Sequence, residues 1–270
     1  MIAGVLAYAN GQRTRVLLDA HHREDADRER ERYRDDSRRA RESALRERYA
    51  TIVNQVAHDS AAVRLGGVYA LSSLADDWHA FGDDDERQVC INLLRLYLRG
   101  PWPGQVGGEE PTMVELAERD VRRTILRLIA DRRNSSDEEK SWSTAYTVVE
   151  RSVIIGCDLG NFLLAQANLN RADLRRSNLG NANLREVQLE RATMDGTDLT
   201  SANLAGANLC HASLIGALLT GSNLAAADFT GADLSDADLT DAVIAGAHWG
   251  EIKYSVNTKW PSGFRPPVSR

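Results

Sequence analysis

Cys157-Asp158-Leu159-Gly160-Asn161-Phe162-Leu163-Leu164-Ala165-Gln166-Ala167-Asn168-Leu169-Asn170-Arg171 opens a five-residue rhythm that runs to Trp249 without insertion or deletion. Stepping by five from Leu159 reaches nineteen apolar residues: fifteen leucines, Met194, Phe229, Ile244 and Trp249. Two places before each lies a second series, Ala at thirteen of the nineteen, with Cys157, Phe162, Ser177, Val187, Thr197 and Ser222 as the others. The residue between is mostly Asn or Asp. A strand alternates at two and a helix recurs near 3.6. A fixed period of five is neither, and signals a stacked solenoid whose units bury their apolar residues only against neighbours. Each reference Leu then points inward from the middle of a side, and the small residue two before it fills an inside corner.

The pattern of Ala, Asp or Asn, Leu and two variable residues resembles the pentapeptide-repeat family almost unit by unit. The resemblance implies a right-handed quadrilateral β-helix with four units per coil. Stacking near 4.8 Å per coil gives a rod only ~24 Å long. Both rod ends are then open ladder edges, which invite edge-to-edge assembly unless covered. Phe162, Trp142 and Tyr146 suit a lid over the first coil formed by the helical domain. Trp249, Tyr254, Trp260 and Phe264, with Pro261, Pro266 and Pro267, suit a closing segment, and Asn257 to Phe264 resembles the one that follows the repeats in relatives.

Upstream the patterns are helical. From His22 to Arg48 charges alternate in sign, and the first fifty residues hold twelve basic and ten acidic side chains. Opposite charges three and four apart favour a solvated helix, and the apolar positions are too few for a heptad seam. Tyr49, Ile52, Val53 and Val56 then recur at helical spacing. A helix from Ala61 follows a cap at Asp59 or Ser60, with Val63, Val68, Leu71 and Leu74 on its apolar side, and Gly66-Gly67 permits a close neighbour. Asp83 to Glu86 matches the positive end of a third helix, through Val89, Leu93, Leu94, Tyr97 and Leu98. Gly100 to Gly104 breaks it, and a loop carrying Gly107-Gly108 leads to one or two helices through Val114, Leu116, Val121, Ile125, Leu128 and Ile129. Asn134-Ser135-Ser136 is a polar connector.

The fold class is therefore α+β and multidomain: a charged N-terminal helix (1–44), a small helical domain (45–133), a connector and cap (134–156), the β-helix (157–249) and a C-terminal cap and tail (250–270). Val63 to Leu71 is similar to a segment of uncharacterised actinobacterial pentapeptide-repeat proteins, several of which carry membrane helices just before it. Residues Met1 to Ala9 resemble the last turns of such a span. The expectation is a bacterial, cytoplasmic protein, membrane-associated if a segment precedes Met1.

Thirty-three basic against thirty-nine acidic residues give a mild acidity that points to no direct nucleic-acid binding. Cys90, Cys157 and Cys210 have no metal or disulfide spacing. The histidines are scattered, and no phosphate loop or nucleophile elbow is present, so no catalytic residue, metal or cofactor is expected. The expected function is non-enzymatic: a scaffold or interaction module with a protein partner. Counting outward residues in twenties, the side centred on Leu159 carries Asp158, Asp198, Asp238 and Asp241 with no basic residue. Its neighbour carries Asp173, Asp195, Asp233 and Asp236 against Arg175 and Arg176. Ile215 and Leu218 break the polar rule near the shared corner, as a docking or homodimer patch. These ten residues are the candidate surface. The resemblance implies two alternatives, an acidic rod that mimics DNA toward gyrase and a membrane-tethered scaffold. Duplex DNA of ~24 Å carries about fourteen charges. The two acidic sides together bear a net six, eight acids less two arginines.

Overall fold

A computed structural model describes residues 2–103, 110–133, 142 and 149–268, without the side chains of residues 2–21 and 133. Gly104, the Gly107-Gly108 pair, the Asn134–Ser136 connector and Tyr146 lie outside the described residues. The chain divides into two compact units, Met1–Thr51 and Ile52–Arg270.

The first unit is helix α1 (Ile2–Val56) up to Thr51. Its charges pair along the surface, Glu24 with Arg28 at 3.6 Å, Asp27 with Arg30 at 3.3 Å and Glu42 with Arg46 at 3.0 Å. All are solvent-exposed, so each contributes little alone. Tyr33, an apolar candidate in the charged run, is 75% exposed. Among the described residues no helix is long and apolar enough to cross a membrane.

The second unit starts with the last residues of α1 and adds α2 (Ala61–Phe81), α3 (Asp84–Arg99) and α4 (Met113–Arg133). Gly67 is the glycine that needs to be small, since a Cβ there would lie 2.9 Å from Gln55 Cβ and from the Val56 nitrogen, whereas one on Gly66 meets open space. Helix α2 runs seven residues past Leu74 and stops at Gly82, whose φ of 87° only glycine adopts readily. Asp83 then caps α3 by accepting the Glu86 N–H at 3.0 Å. Thr112 and Glu115 start α4 as a reciprocal capping box, the Glu115 N–H donating to Thr112 Oγ1 and the Thr112 N–H to Glu115 Oε2. A single helix follows, within the expected one or two. Val68, Leu71, Leu74, Trp78, Leu94 and Ile125 form the core, while Val63, Val89, Val114 and Leu116 lie exposed rather than on the packed faces.

From Val153 onward, parallel bridges join residues twenty apart, Val153 to Asp173 and every fifth residue thereafter as far as Asp233 to Lys253. Each bridge is isolated and flanked by turns, so in the described solenoid no strand exceeds one residue. Between bridges the N–H three residues after each reference residue donates to its carbonyl, as Ala167 does to Leu164 at 3.1 Å. The residue before that donor has a positive φ, near 58° at Arg171 and Arg176. That is the turn geometry in which the third position is left-handed. Four such turns per twenty residues close one coil of the right-handed β-helix. Leu159 to Leu239 and the small series beside them are almost wholly buried, and the hydroxyls of Ser177 and Thr197 donate to the Ile154 and Leu174 carbonyls. Cys157, also inside, has its thiol pushed up to about 12 by burial.

Both ends of the solenoid are covered in part. At the first coil, α3 hands over directly: the Val153 N–H donates to the Leu98 carbonyl at 2.7 Å, and Arg122 Nη1 donates to the Val153 carbonyl at 2.7 Å. Phe162 is buried there, whereas Trp142, also buried, is bonded to α4, its main-chain N–H donating to the Arg132 carbonyl at 3.1 Å. At the far end Phe229 and Trp249 stack at 4.6 Å, and Trp260 and Phe264 pack on Trp249 at 5.7 and 5.3 Å. The last bridge, Asp238 to Lys259, spans twenty-one residues, so this cap holds one residue more than a coil.

Candidate cleft beside the first coils

The ten surface residues divide by what they touch. In the repeat, the carboxylate or amide before each reference residue accepts the main-chain N–H two residues on: Gly160 donates to Asp158 at 3.2 Å, Thr200 to Asp198 at 2.9 Å, Ser235 to Asp233 at 3.0 Å and Thr240 to Asp238 at 3.0 Å. Asn178, Asn203 and Asn208 accept in the same way. The Asp/Asn position is therefore coded by turn formation, since these side chains fold back on their own backbone. A solvated face is its by-product.

The acidic sides are also less acidic than repeat counting gives. The side centred on Leu159 has basic residues after all: Arg123 of α4 lies 3.8 Å from Asp158, and Lys259 of the C-terminal cap lies 2.9 Å from Asp238. The Lys259 hydrogen bond holds the Asp238 carboxyl down at about 2. On the neighbouring side, Arg175 Nε donates to Asp173 Oδ1 at 2.8 Å. Asp195 accepts the Ile215 N–H at 3.2 Å and also the Ser213 hydroxyl. Asp236 accepts from Ser255 and Asn257, which hold its carboxyl below the usual range. Asp241 is exposed. Ile215 and Leu218 are 40% and 45% exposed, an apolar step in an otherwise polar surface.

Repeat counting stops at the solenoid's ends, which is why it misses Arg123, Arg127 and Lys259. Lys259 has one signal of its own: it lies twenty-one residues from Asp238, hidden from a step of twenty by the extra residue of the cap. The two arginines sit four apart on α4, one helical turn, and nothing local marks them as facing the coils.

Where α4 meets the side centred on Leu159 it leaves a cleft of about 810 Å³. Arg123, Arg127 and Asp131 line it from the helix, and Asp158, Asn178 and Asp198 from the coils. Gly160 and Gly180, stacked in successive coils, leave its floor without side chains. Helix α4 is held in place by a buried hub. Arg122 donates from Nε to Glu118 Oε1 at 2.6 Å and from its other nitrogens to the carbonyls of Leu98, Gly100, Pro101 and Val153. Glu118 also accepts from Arg64 at 3.0 Å and from the Tyr97 hydroxyl at 2.9 Å. Burial, and then the Glu118 charge, push Tyr97 up to about 12. Among the described residues no group of three His, Cys, Asp or Glu side chains is placed to hold a metal ion.

A period-five β-helix with bridges at twenty residues defines the class of protein. The pentapeptide-repeat profile matches residues 152–191, 167–204 and 202–241, with eight copies, and the chain belongs to the pentapeptide-repeat family. Among solved structures it is similar to alr5209, a pentapeptide repeat protein from Nostoc Pcc 7120, at 35% identity over 40% of this chain and 77% of that one, TM-score 0.31. It is similar to Rfr23 from the cyanobacterium Cyanothece 51142 at 28% identity over 40% of this chain and 90% of that one, TM-score 0.35. HetL from Nostoc sp. strain PCC 7120, involved in heterocyst differentiation regulation, shares 28% identity over 40% of this chain and 59% of its own, TM-score 0.20. No curated protein matches the chain.

Proposed function

We propose that this protein is a non-enzymatic interaction module, a four-sided rod fixed to a helical domain, and that it binds a protein partner along the side centred on Leu159. The cleft carries this reading. It is a concave, polar surface built jointly by α4 and the first coils, and it opens onto Asp198 and Thr200 further along the same side. Ile215 and Leu218 extend the surface around the corner as an apolar contact, for the partner or for a second copy. The rod's interior offers no chemistry, being filled by Leu, Ala and bonded hydroxyls.

The acidic-rod alternative draws less support from the geometry, because Arg123, Arg175 and Lys259 each lie against an Asp of the two acidic sides. A duplex mimic needs regularly spaced, unpaired negative charge.

A photo-crosslinking residue in place of Thr200, compared with one in place of Glu190 on the far side of the rod, tests the reading in cells. The expected result is a discrete adduct with another protein from position 200 and none from 190. Equal labelling from both positions, or none from position 200, would sink it.

A further inference from the structure

Within the cleft, at the entry end of the side centred on Leu159, the coil ladder is left open among the described residues. In the next coil, the Asn178 N–H donates to the Cys157 carbonyl at 2.9 Å, and the Asn178 carbonyl accepts the Leu159 N–H at 2.7 Å. Asp198 repeats the pattern, donating to Ser177 and accepting from Leu179. Asp158 is the first residue of this column, and among the described residues its main-chain N–H and carbonyl take no hydrogen bond. The neighbouring column does not share this opening, because Leu98 and Arg122 cover the two groups of Val153. Unpaired ladder groups at an edge are a template for an added strand.

The cations above this edge also have capacity to spare. Arg127 lies with its guanidinium 5.7 Å from the Phe162 ring centre, and among the described residues it makes no ion pair. Arg123 has a buried Nε without a hydrogen-bond partner, and its approach to Asp158 is 3.8 Å, beyond hydrogen-bonding distance. The cleft's coil carboxylates are by contrast engaged, Asp158 by Gly160 and Asn178, and Asp198 by Thr200. Together with Asp131 they set the cleft against a polyanion, while its donors seek a single acceptor.

We infer that this cleft binds an extended segment of a partner protein, which pairs its main chain with Asp158 as an added strand and places one carboxylate side chain between Arg123 and Arg127. This deepens the interaction reading above and rests on it. With one bridging residue per side of the coil, the added strand gains only about two main-chain hydrogen bonds, so the arginine pair supplies much of the specificity. The segment is short and singly acidic, not an acidic run.

The test selects a displayed library of random heptapeptides on the full-length protein, with counter-selection on Arg127→Glu. Arg127 is exposed, so the substitution leaves the fold intact, which a matching melting temperature verifies. The expected survivors carry one Asp or Glu. A synthetic survivor binds Arg127→Glu at least ten-fold more weakly, loses at least five-fold on N-methylation at one central position, and slows hydrogen exchange at the Asp158 amide. Survivors rich in Lys or Arg, or no peptide that discriminates against Arg127→Glu, overturn the proposal. So does an Asp158 amide that the peptide leaves unchanged, or one already protected without it, since the edge is then not available. Any of these outcomes can coexist with a crosslink from position 200, which separates failure of this proposal from failure of the interaction reading.

Discussion

The helical bundle and the solenoid bury opposite things. Inside the bundle lie a guanidinium and a carboxyl side chain, with Arg122 2% and Glu118 5% exposed and each answered by several partners. Inside the solenoid, among the described residues, the one buried titratable group is the Cys157 thiol, and the polar groups are hydroxyls bonded to the backbone. The contrast follows from architecture. A coil of twenty residues satisfies its own backbone by stacking on the next, so its interior needs only apolar filling. The end of α3 leaves carbonyls at Gly100 and Pro101 that need a donor, and one guanidinium serves both while joining the Val153 N–H on Leu98. Polarity is buried where the backbone ladder stops, not where it runs.

The sharpest way to break this comparison is Arg122→Met. It removes one of three donors to the buried Glu118 and the guanidinium shared by the carbonyls of Leu98, Gly100, Pro101 and Val153, and a cost of about 3–5 kcal/mol is expected in denaturant unfolding. Adding Glu118→Gln should recover part of that loss, while full recovery by Arg122→Met alone in high salt would show the hub to be a surface effect. Leu199→Ala probes the other region. It opens a cavity in a fully buried site, at a cost of about 2–5 kcal/mol, and no second-site charge change should rescue it. Gly231→Ala is next. Its φ of 72° and the overlap of the new methyl with the His211 ring predict a loss of about 1–2 kcal/mol, which His211→Ala should partly relieve.

The smallest effect is in the pH response, where the two regions should fail at opposite ends. Asp238 has its folded value held down at about 2, so its contribution is complete above the ordinary carboxylate range and is lost as pH falls toward 2. Its ion pair is largely solvated, so the loss should be under about 1 kcal/mol, and absent in Lys259→Met, by melting between pH 4 and pH 2. Tyr97 has its folded value raised to about 12, so its contribution is complete below its ordinary value of ~10 and lost as pH rises toward 12. Ultraviolet titration of tyrosinate against helix content should show the bundle opening across that window in the native protein, and not in Tyr97→Phe.

The solenoid is legible in the sequence because its period is local: each residue's environment repeats five and twenty places away. Leu159 to Leu239 are inside as their spacing requires, and the aromatic set from Trp249 to Phe264 does close the far end. The role of the Asp/Asn series was visible only as a preference. That preference reflects a hydrogen bond to the N–H two residues on, which spacing alone does not reveal. The cleft was not legible at all. It depends on where α4 lies, and that is fixed by Arg122 reaching Val153, thirty-one residues away, through a contact with no periodic signature. For the same reason Arg123 and Arg127 read as ordinary surface arginines until the coils are placed beneath them.

The twenty-residue register makes the rod's length a phased quantity. Inserting five residues between Leu239 and Ile244 rotates everything after them by one side, which parts Lys259 from Asp238 and turns Trp249 out of line with Phe229. Inserting twenty adds a whole coil and returns every downstream residue to its original side. The two ends of the rod thus behave like the jaws of a ratchet, tolerant of change in full turns and intolerant of any fraction.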